Sequence, residues 1–354
     1  MRTSTLRTWF VAALALSATG CKFVDNRDYS QRGYRGTSME VGYSHKEATK
    51  AFNATNAALP AILPPAGESP PGPLPWKNVQ VLNDISVAEF NRTMIAMSSW
   101  VAGPGNCQYC HNVANFASDT TDAGKVLYTK ITARRMLQMT RNINGNWSSH
   151  VKNTGVTCYT CHRGKPLPNG LWFYTDENQY LRHYLDSTGA RVFSHTVAPS
   201  AANRSSVKQA EWTYALMISQ SKALGVNCTY CHNTRQFASW EQAPPQRVVA
   251  YQGIQMLRDL NRHYLSPLQT VYPPVRLGPK GDAPKAQCIT CHNGAYKPLY
   301  AAQITKHYPA LWGRTDWNGA PFPGLNGPPK ADTTQKTAAP AAPAAKAATG
   351  PAPH

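Results

Sequence analysis

Cys107-Gln108-Tyr109-Cys110-His111 decides how this chain is read, because the same frame returns three more times. It recurs as Cys158-Tyr159-Thr160-Cys161-His162, Cys228-Thr229-Tyr230-Cys231-His232 and Cys288-Ile289-Thr290-Cys291-His292. Cys-x-x-Cys-His is the attachment signature of c-type haem. Two thiols one helical turn apart add to the two vinyl groups of one porphyrin, and the next histidine offers an imidazole nitrogen to the iron. A lone Cys-x-x-Cys would fit a disulfide, a zinc site or a thioredoxin-like redox pair. Four copies, each followed at once by His, do not. The sequence therefore predicts four covalently bound c-type haems on Cys107, Cys110, Cys158, Cys161, Cys228, Cys231, Cys288 and Cys291, with His111, His162, His232 and His292 as proximal ligands of iron.

The rest of the composition is read around those frames. The 354 residues carry 36 Lys+Arg against 18 Asp+Glu, a formal charge of +18. Such a balance invites a nucleic-acid reading, but eight of the nine cysteines are committed to haem, so no nucleic-acid partner is expected. Eight propionates would lower the positive charge without reversing it. No window of about 18 to 20 apolar residues exists, so no transmembrane helix is expected. Residues 1–20 read as a signal peptide: Arg2 and Arg7 precede a short apolar run, Trp9 to Thr19. Ala18-Thr19-Gly20-Cys21 resembles a bacterial lipoprotein cleavage box, although Ala18 stands where Leu is usual. Cys21, the only cysteine outside the haem frames, is therefore the expected lipidation site, and two or three acyl chains anchor a protein stably where one does not.

Internal repetition organises the remainder. Asn106 to Asn112 recurs as Asn227 to Asn233, and Phe116-Ala117-Ser118 as Phe237-Ala238-Ser239. Met139-Thr140-Arg141-Asn142-Ile143-Asn144 recurs as Met256-Leu257-Arg258-Asp259-Leu260-Asn261, and Lys165-Pro166-Leu167 as Lys297-Pro298-Leu299. The expected order is a lipid anchor and Pro-rich strap over 21–79, a dihaem repeat over 80–165, a linker over 166–205, a second dihaem repeat over 206–317, and a disordered Ala/Pro tail over 318–354. The fold class follows: mainly α with much irregular loop, a multihaem cytochrome of two pseudo-symmetric dihaem halves whose porphyrins serve as the core.

Helices are expected before the haem frames. Ser86-Val87-Ala88-Glu89 is a capping-box pattern, after which Val87, Phe90, Met94, Met97 and Val101 form one apolar stripe. Further helices are expected over 122–143, over 206–224 up to Gly225, and from Pro245 to about 264.

A proximal histidine leaves iron one open position, and its occupant decides function: Met raises the potential, a second His lowers it, and an open site admits chemistry. Met94 or Met97 can serve the first haem, Met136 or Met139 the second, and Met217 the third, although Met at helical spacing commonly only fills a core. Aligning Met139 with Met256 sets Met136 opposite Gly253, so the fourth haem lacks a methionine there. His150, eight residues before Cys158, is the leading substitute and His263 its rival. Arg134, Arg135, Arg141, Arg258 and Arg262 are candidates for pairing with propionates.

These residues resemble the tetrahaem cytochrome c subunit of purple-bacterial photosynthetic reaction centres over most of residues 21–310, in Ala88 to Met94, Ala133 to Arg141, Thr154 to Gly164, Leu224 to Cys228 and Gly253 to Asn261. The resemblance implies Met94, Met136 and Met217 as sixth ligands of the first three haems and His150 of the fourth, leaving Met97, Met139 and Met256 to packing. It implies a lipid-anchored electron-transfer protein, not an enzyme, on the periplasmic face of the photosynthetic membrane. Its partners would be the membrane-embedded reaction centre subunits and a soluble periplasmic donor, a cytochrome or a high-potential iron–sulfur protein. Its spatial order would be third, fourth, second, first haem, counted outward from the photo-oxidised pigment pair. A respiratory multihaem shuttle and a multihaem reductase are the alternatives.

Overall fold

The computed structural model describes residues 27–31, 40–56, 58–67, 74–182, 185, 207–237 and 239–312. The signal peptide, Cys21, much of the linker and the Ala/Pro tail lie outside the described residues.

The described chain is mainly helical with long irregular connections. It begins with a feature the sequence did not announce: strands β1 (Arg27–Gln31) and β2 (Glu40–Ser44) pair antiparallel, and helix α1 (His45–Asn56) follows. Their polar composition hides them from a reading based on apolar periodicity. The Pro-rich segment over 58–67 is extended and stitched down: Arg92 donates to the carbonyls of Leu63 and Pro64 at 2.9 and 2.6 Å.

Helix α2 (Val87–Val101) starts where the capping pattern places it, Ser86 Oγ accepting from the Glu89 backbone N–H at 3.2 Å. Its burial is unexpected. The face carrying Glu89, Arg92, Thr93, Ala96 and Trp100 is buried, while the apolar stripe is only half-covered and Val87 is exposed. Arg92 explains the inversion: it pairs with Glu89 at 3.2 Å and donates to the carbonyl of His307 at 2.6 Å, so the charged face is saturated inside the protein.

Helix α3 (Tyr128–Asn146) begins six residues later than expected, because Thr121 to Lys125 close a turn with Gly124 at φ +73. The short helix α4 (Ser148–Val151) carries His150, and α5 (Cys158–His162) carries the second haem frame. After α6 (Gln179–Arg182) come α7 (Val207–Leu224) and α8 (Gln246–Leu260), the latter running on through a π-helical turn at Asn261–Leu265. Helix α9 (Cys288–His292) carries the fourth frame.

Helix α2 packs on α5, and α7 packs on α9. Each contact is pinned by one bond, Gly164 N–H to the Trp100 carbonyl at 2.9 Å and Gly294 N–H to the Ala223 carbonyl at 2.8 Å. Gly225, at φ +66, is required for the second: a Cβ there would lie 2.1 Å from the Gly294 oxygen.

A protein core exists beside the haem frames, contrary to the expectation that porphyrins alone provide it. Leu82, Trp100, Leu137, Leu299, Tyr308 and Leu311 form one cluster, so the segment 299–311 completes the first half's packing although the repeat boundary places it in the second. Trp172, Leu181, Leu216, Ile254, Leu257 and Leu265 form another, and Met136, Met139 and Met217 pack against it.

Candidate functional site

The four haem frames adopt two local structures. Cys107–Tyr109 and Cys228–Tyr230 are single 3-10 turns, whereas α5 and α9 are short α-helices. The residue before the second cysteine accounts for the difference. Thr160 Oγ1 accepts the Thr157 N–H at 3.0 Å, and Thr290 Oγ1 accepts the Gln287 N–H at 3.0 Å, which satisfies an orphan donor at each helix start. Tyr109 and Tyr230 stand at that position in the other two frames. Both α-helical frames end in a left-handed residue after histidine, Arg163 at φ 51 and Asn293 at φ 48.

None of the eight frame cysteines is in a disulfide. Burial pushes the Cys158 and Cys288 thiols up to about 12 and Cys110 up to about 11. A hydrogen bond to Cys291, together with burial, raises Cys161 well above the usual thiol range. The second and fourth frames therefore touch, and Arg163 bridges them by donating to the Cys291 carbonyl at 3.2 Å.

The histidines are oriented for iron. His162 Nδ1 faces the Lys165 carbonyl at 2.9 Å, His292 Nδ1 the Ala295 carbonyl at 2.8 Å, and His232 Nδ1 the Phe237 carbonyl at 3.1 Å. Donation from Nδ1 fixes the tautomer that leaves Nε2 free to ligate. Burial lowers the pKa of all three, His292 to about 4, which keeps the ligating neutral form. His111 differs: the Phe116 carbonyl is near it, yet Nδ1 closes no hydrogen bond.

His150 lies beside the fourth frame. Its Nδ1 is 2.9 Å from the Val249 carbonyl of α8, and its ring lies 6.0 Å from the His292 ring, centroid to centroid. Two imidazoles bound from opposite sides of one metal ion, at about 2 Å each, stand roughly 6 Å apart by their centroids. Gly253 makes this approach possible, since a Cβ there would sit 2.6 Å from His150 Cε1. The rival, His263, is engaged elsewhere: its Nδ1 pairs with Asp259 at 2.6 Å, and that carboxylate also accepts from Trp147 and Asn142, each at 2.8 Å.

Met94 and Met97 line the half-covered stripe of α2, and Met136, Met139 and Met217 are also half-buried, while Met256 is 7% exposed inside a core cluster. The chain thus keeps five methionines at the margin of its packing, where an apolar planar group can reach them. Three candidate propionate partners are committed within the protein. Arg134 pairs with Asp119 at 3.0 Å, Arg141 pairs with Asp84 at 2.8 Å, and Arg135 donates to the His263 carbonyl at 2.8 Å.

Sequence reading missed the supports. Asn144 donates to the carbonyls of Val156 and Leu311, each at 2.9 Å, and accepts from the Val156 N–H at 2.7 Å, holding the approach to the second frame. Buried Lys285 pairs with Asp282 at 2.7 Å and lies 3.8 Å over the Tyr174 ring, while its backbone bridges Trp172 just before the fourth frame. The repeated Phe-Ala-Ser segment was the available signal for the Phe237 carbonyl behind His232, whereas nothing in the repeats marks Ala295 behind His292.

A family model described as photosynthetic reaction centre cytochrome C subunit matches residues 25–182 and 176–312. Among curated proteins, the photosynthetic reaction center cytochrome c subunit of Rubrivivax gelatinosus (strain NBRC 100245 / IL144) is 43% identical over 340 residues, covering 88% of this chain and 90% of the relative. Those of Thermochromatium tepidum and Roseobacter denitrificans are 41% and 37% identical, covering 80% and 79% of this chain and 74% and 84% of the relatives. The chain belongs to the family of photosynthetic reaction centre cytochrome c subunits.

Proposed function

We propose that this chain holds four covalent c-type haems and passes electrons from a soluble periplasmic donor to the photo-oxidised pigment pair of a reaction centre. Each bound haem iron supplies a one-electron ferric/ferrous couple. The chain's own residues do the rest. Frame thiols fix each porphyrin edge, and His111, His162, His232 and His292 offer a neutral Nε2. Met94, Met136 and Met217 close the first three irons with thioether sulfur, and His150 closes the fourth. Thioether ligation favours the reduced iron and a second imidazole the oxidised one, so the fourth haem is lower in potential than its Met-ligated neighbours. Filled sixth positions leave no site for a substrate, which separates a carrier from a reductase.

The observation carrying this reading is the 6.0 Å spacing of His150 and His292 across the space opened by Gly253. Contact between Cys161 and Cys291 supports neighbouring second and fourth haems, as the order third, fourth, second, first requires. Pairwise recurrence of the frames supports pseudo-symmetric dihaem halves. Lipidation at Cys21 supplies the membrane anchor, in keeping with the lack of any helix, among the described residues, long and apolar enough to cross a bilayer.

Membranes carrying the protein provide the test. A single flash should oxidise a c-type haem and bleach the pigment pair only transiently, and the protein should co-purify with bacteriochlorophyll in mild detergent. A pigment-free preparation showing no flash oxidation rejects the assignment in favour of a respiratory shuttle. Carbon monoxide binding to the native reduced protein at more than trace level would speak for a reductase.

A further inference from the structure

Lys130 on α3 occupies a buried position beside the first haem frame. Its Nζ donates to the carbonyls of Phe116 and Ser118 at 2.9 and 2.7 Å and pairs with Asp119 Oδ1 at 3.2 Å. Asp119 is shared with Arg134 at 3.0 Å and also accepts from Asn78 at 3.1 Å. Two cations thus meet one carboxylate, leaving a positive excess next to His111. The loop Lys130 holds lies against His111, the Phe116 and His111 rings being 5.1 Å apart by their centroids.

The third frame shows what Lys130 changes. There the carbonyl of Phe237, counterpart of Phe116, faces His232 Nδ1 at 3.1 Å. Arg247 stands at the Lys130 position by the spacing that relates Met139 to Met256; it donates to the Ser239 carbonyl and stacks 4.1 Å over Trp240. It leaves the Phe237 carbonyl to the imidazole. In the first frame the same carbonyl also accepts from the Lys130 ammonium at 2.9 Å and holds His111 only loosely, its Nδ1 closing no hydrogen bond of normal geometry.

We propose that Lys130 is a positioning residue that raises the potential of the first haem, by holding the 112–119 loop, sharing the Phe116 carbonyl so that it grips His111 only loosely, and placing a buried cation beside the ring. The inference rests on the proposed attachment of a haem at Cys107, Cys110 and His111. The step it biases is the addition of one electron, from the soluble donor, to ferric iron to give ferrous iron; no bond breaks and no proton moves. A ferric centre carries one more positive charge than a ferrous one, so a nearby low-dielectric cation disfavours it. A proximal imidazole that donates no strong Nδ1 hydrogen bond is a weaker base toward iron, which acts in the same direction.

The experiment uses the full-length protein with its haems. Intact mass first counts the haems, and a haem-resolved redox titration then gives four midpoints. Lys130→Met should lower the first haem's midpoint and leave the other three in place, Lys130→Arg should stay near the parent, and Asp119→Asn should raise it. Opposite signs for Lys130→Met and Asp119→Asn separate an electrostatic role from a structural one, which would move both the same way. The inference is overturned by equal signs, by no shift, or by a shift spread over all four haems. Should Lys130→Met lose a haem by mass, Asp119→Asn decides alone, and failure to raise the first midpoint overturns it. A parent protein with no haem on the 107–111 peptide would instead sink the proposed function.

Discussion

The first and third haem frames are 3-10 turns ending in Tyr-Cys-His, while the second and fourth are capped α-helices ending in Thr-Cys-His. One side chain makes the difference. A threonine hydroxyl reaches back to the amide three residues earlier and satisfies it; a phenol is too long to make that bond. The consequences extend outward. Each helical frame hands its histidine to a carbonyl three residues on, and the third frame hands His232 to a loop carbonyl five residues on, while His111 Nδ1 in the first frame closes no hydrogen bond. The helical frames also touch each other through Cys161, Cys291 and Arg163. The same Cys-x-x-Cys-His frame is therefore built once as a touching pair of capped helices and once as two single turns supported by loops.

The largest expected effect falls on the touching pair. Gly253→Val places side-chain atoms into the His150 ring, so His150 should be expelled and one haem should lose its second imidazole. A potential rise on the order of 100 mV in that haem alone, a fraction of the about 0.8 V range that axial ligands span, is expected in a haem-resolved titration. His263→Gln should leave every haem spectrum unchanged, because its imidazole is held by Asp259.

Next in size is the buried ion pair behind the fourth frame. Lys285→Met leaves Asp282, only 4% exposed, without its cation, and should cost about 3–5 kcal/mol in denaturant unfolding. The double replacement Lys285→Met with Asp282→Leu should recover most of that loss, since removing both charges also removes their desolvation penalty. If the double variant is no more stable than the single one, the loss does not come from leaving the Asp282 charge without its cation.

Smaller still is the cap itself. Thr160→Ala removes the acceptor for the Thr157 amide and should cost about 1 kcal/mol, with hydrogen exchange at that amide accelerating several-fold. The matching change at Tyr109 in the first frame should leave its own turn amides unaffected, because no side-chain cap exists there. Equal responses in the two frames would erase the distinction drawn above.

Part of this architecture was legible beforehand because it is local. The Ser86 cap, the Gly225 stop and the helix following Pro245 follow from side chains a few residues apart, and the structure places them as the pattern indicates. Burial was not legible. The stripe containing Met94 and Met97 was legible, but not that the face bearing Glu89 and Arg92 is buried in protein, where His307 and the Pro-rich strap supply carbonyls from distant sequence. The β1–β2 hairpin escaped notice for the opposite reason, having too little apolar alternation to register.

The sequence by itself determined the four attachment frames, their histidines and the pairwise repetition, since covalent haem chemistry depends on residue type at fixed short spacing. Only the tertiary structure distinguishes the surroundings of His150 and His263, because these depend on Gly253 lying under one imidazole and Asp259 beside the other. It also shows Lys130 donating to the Phe116 carbonyl at 2.9 Å beside His111, a contact between segments that spacing along the chain cannot reveal.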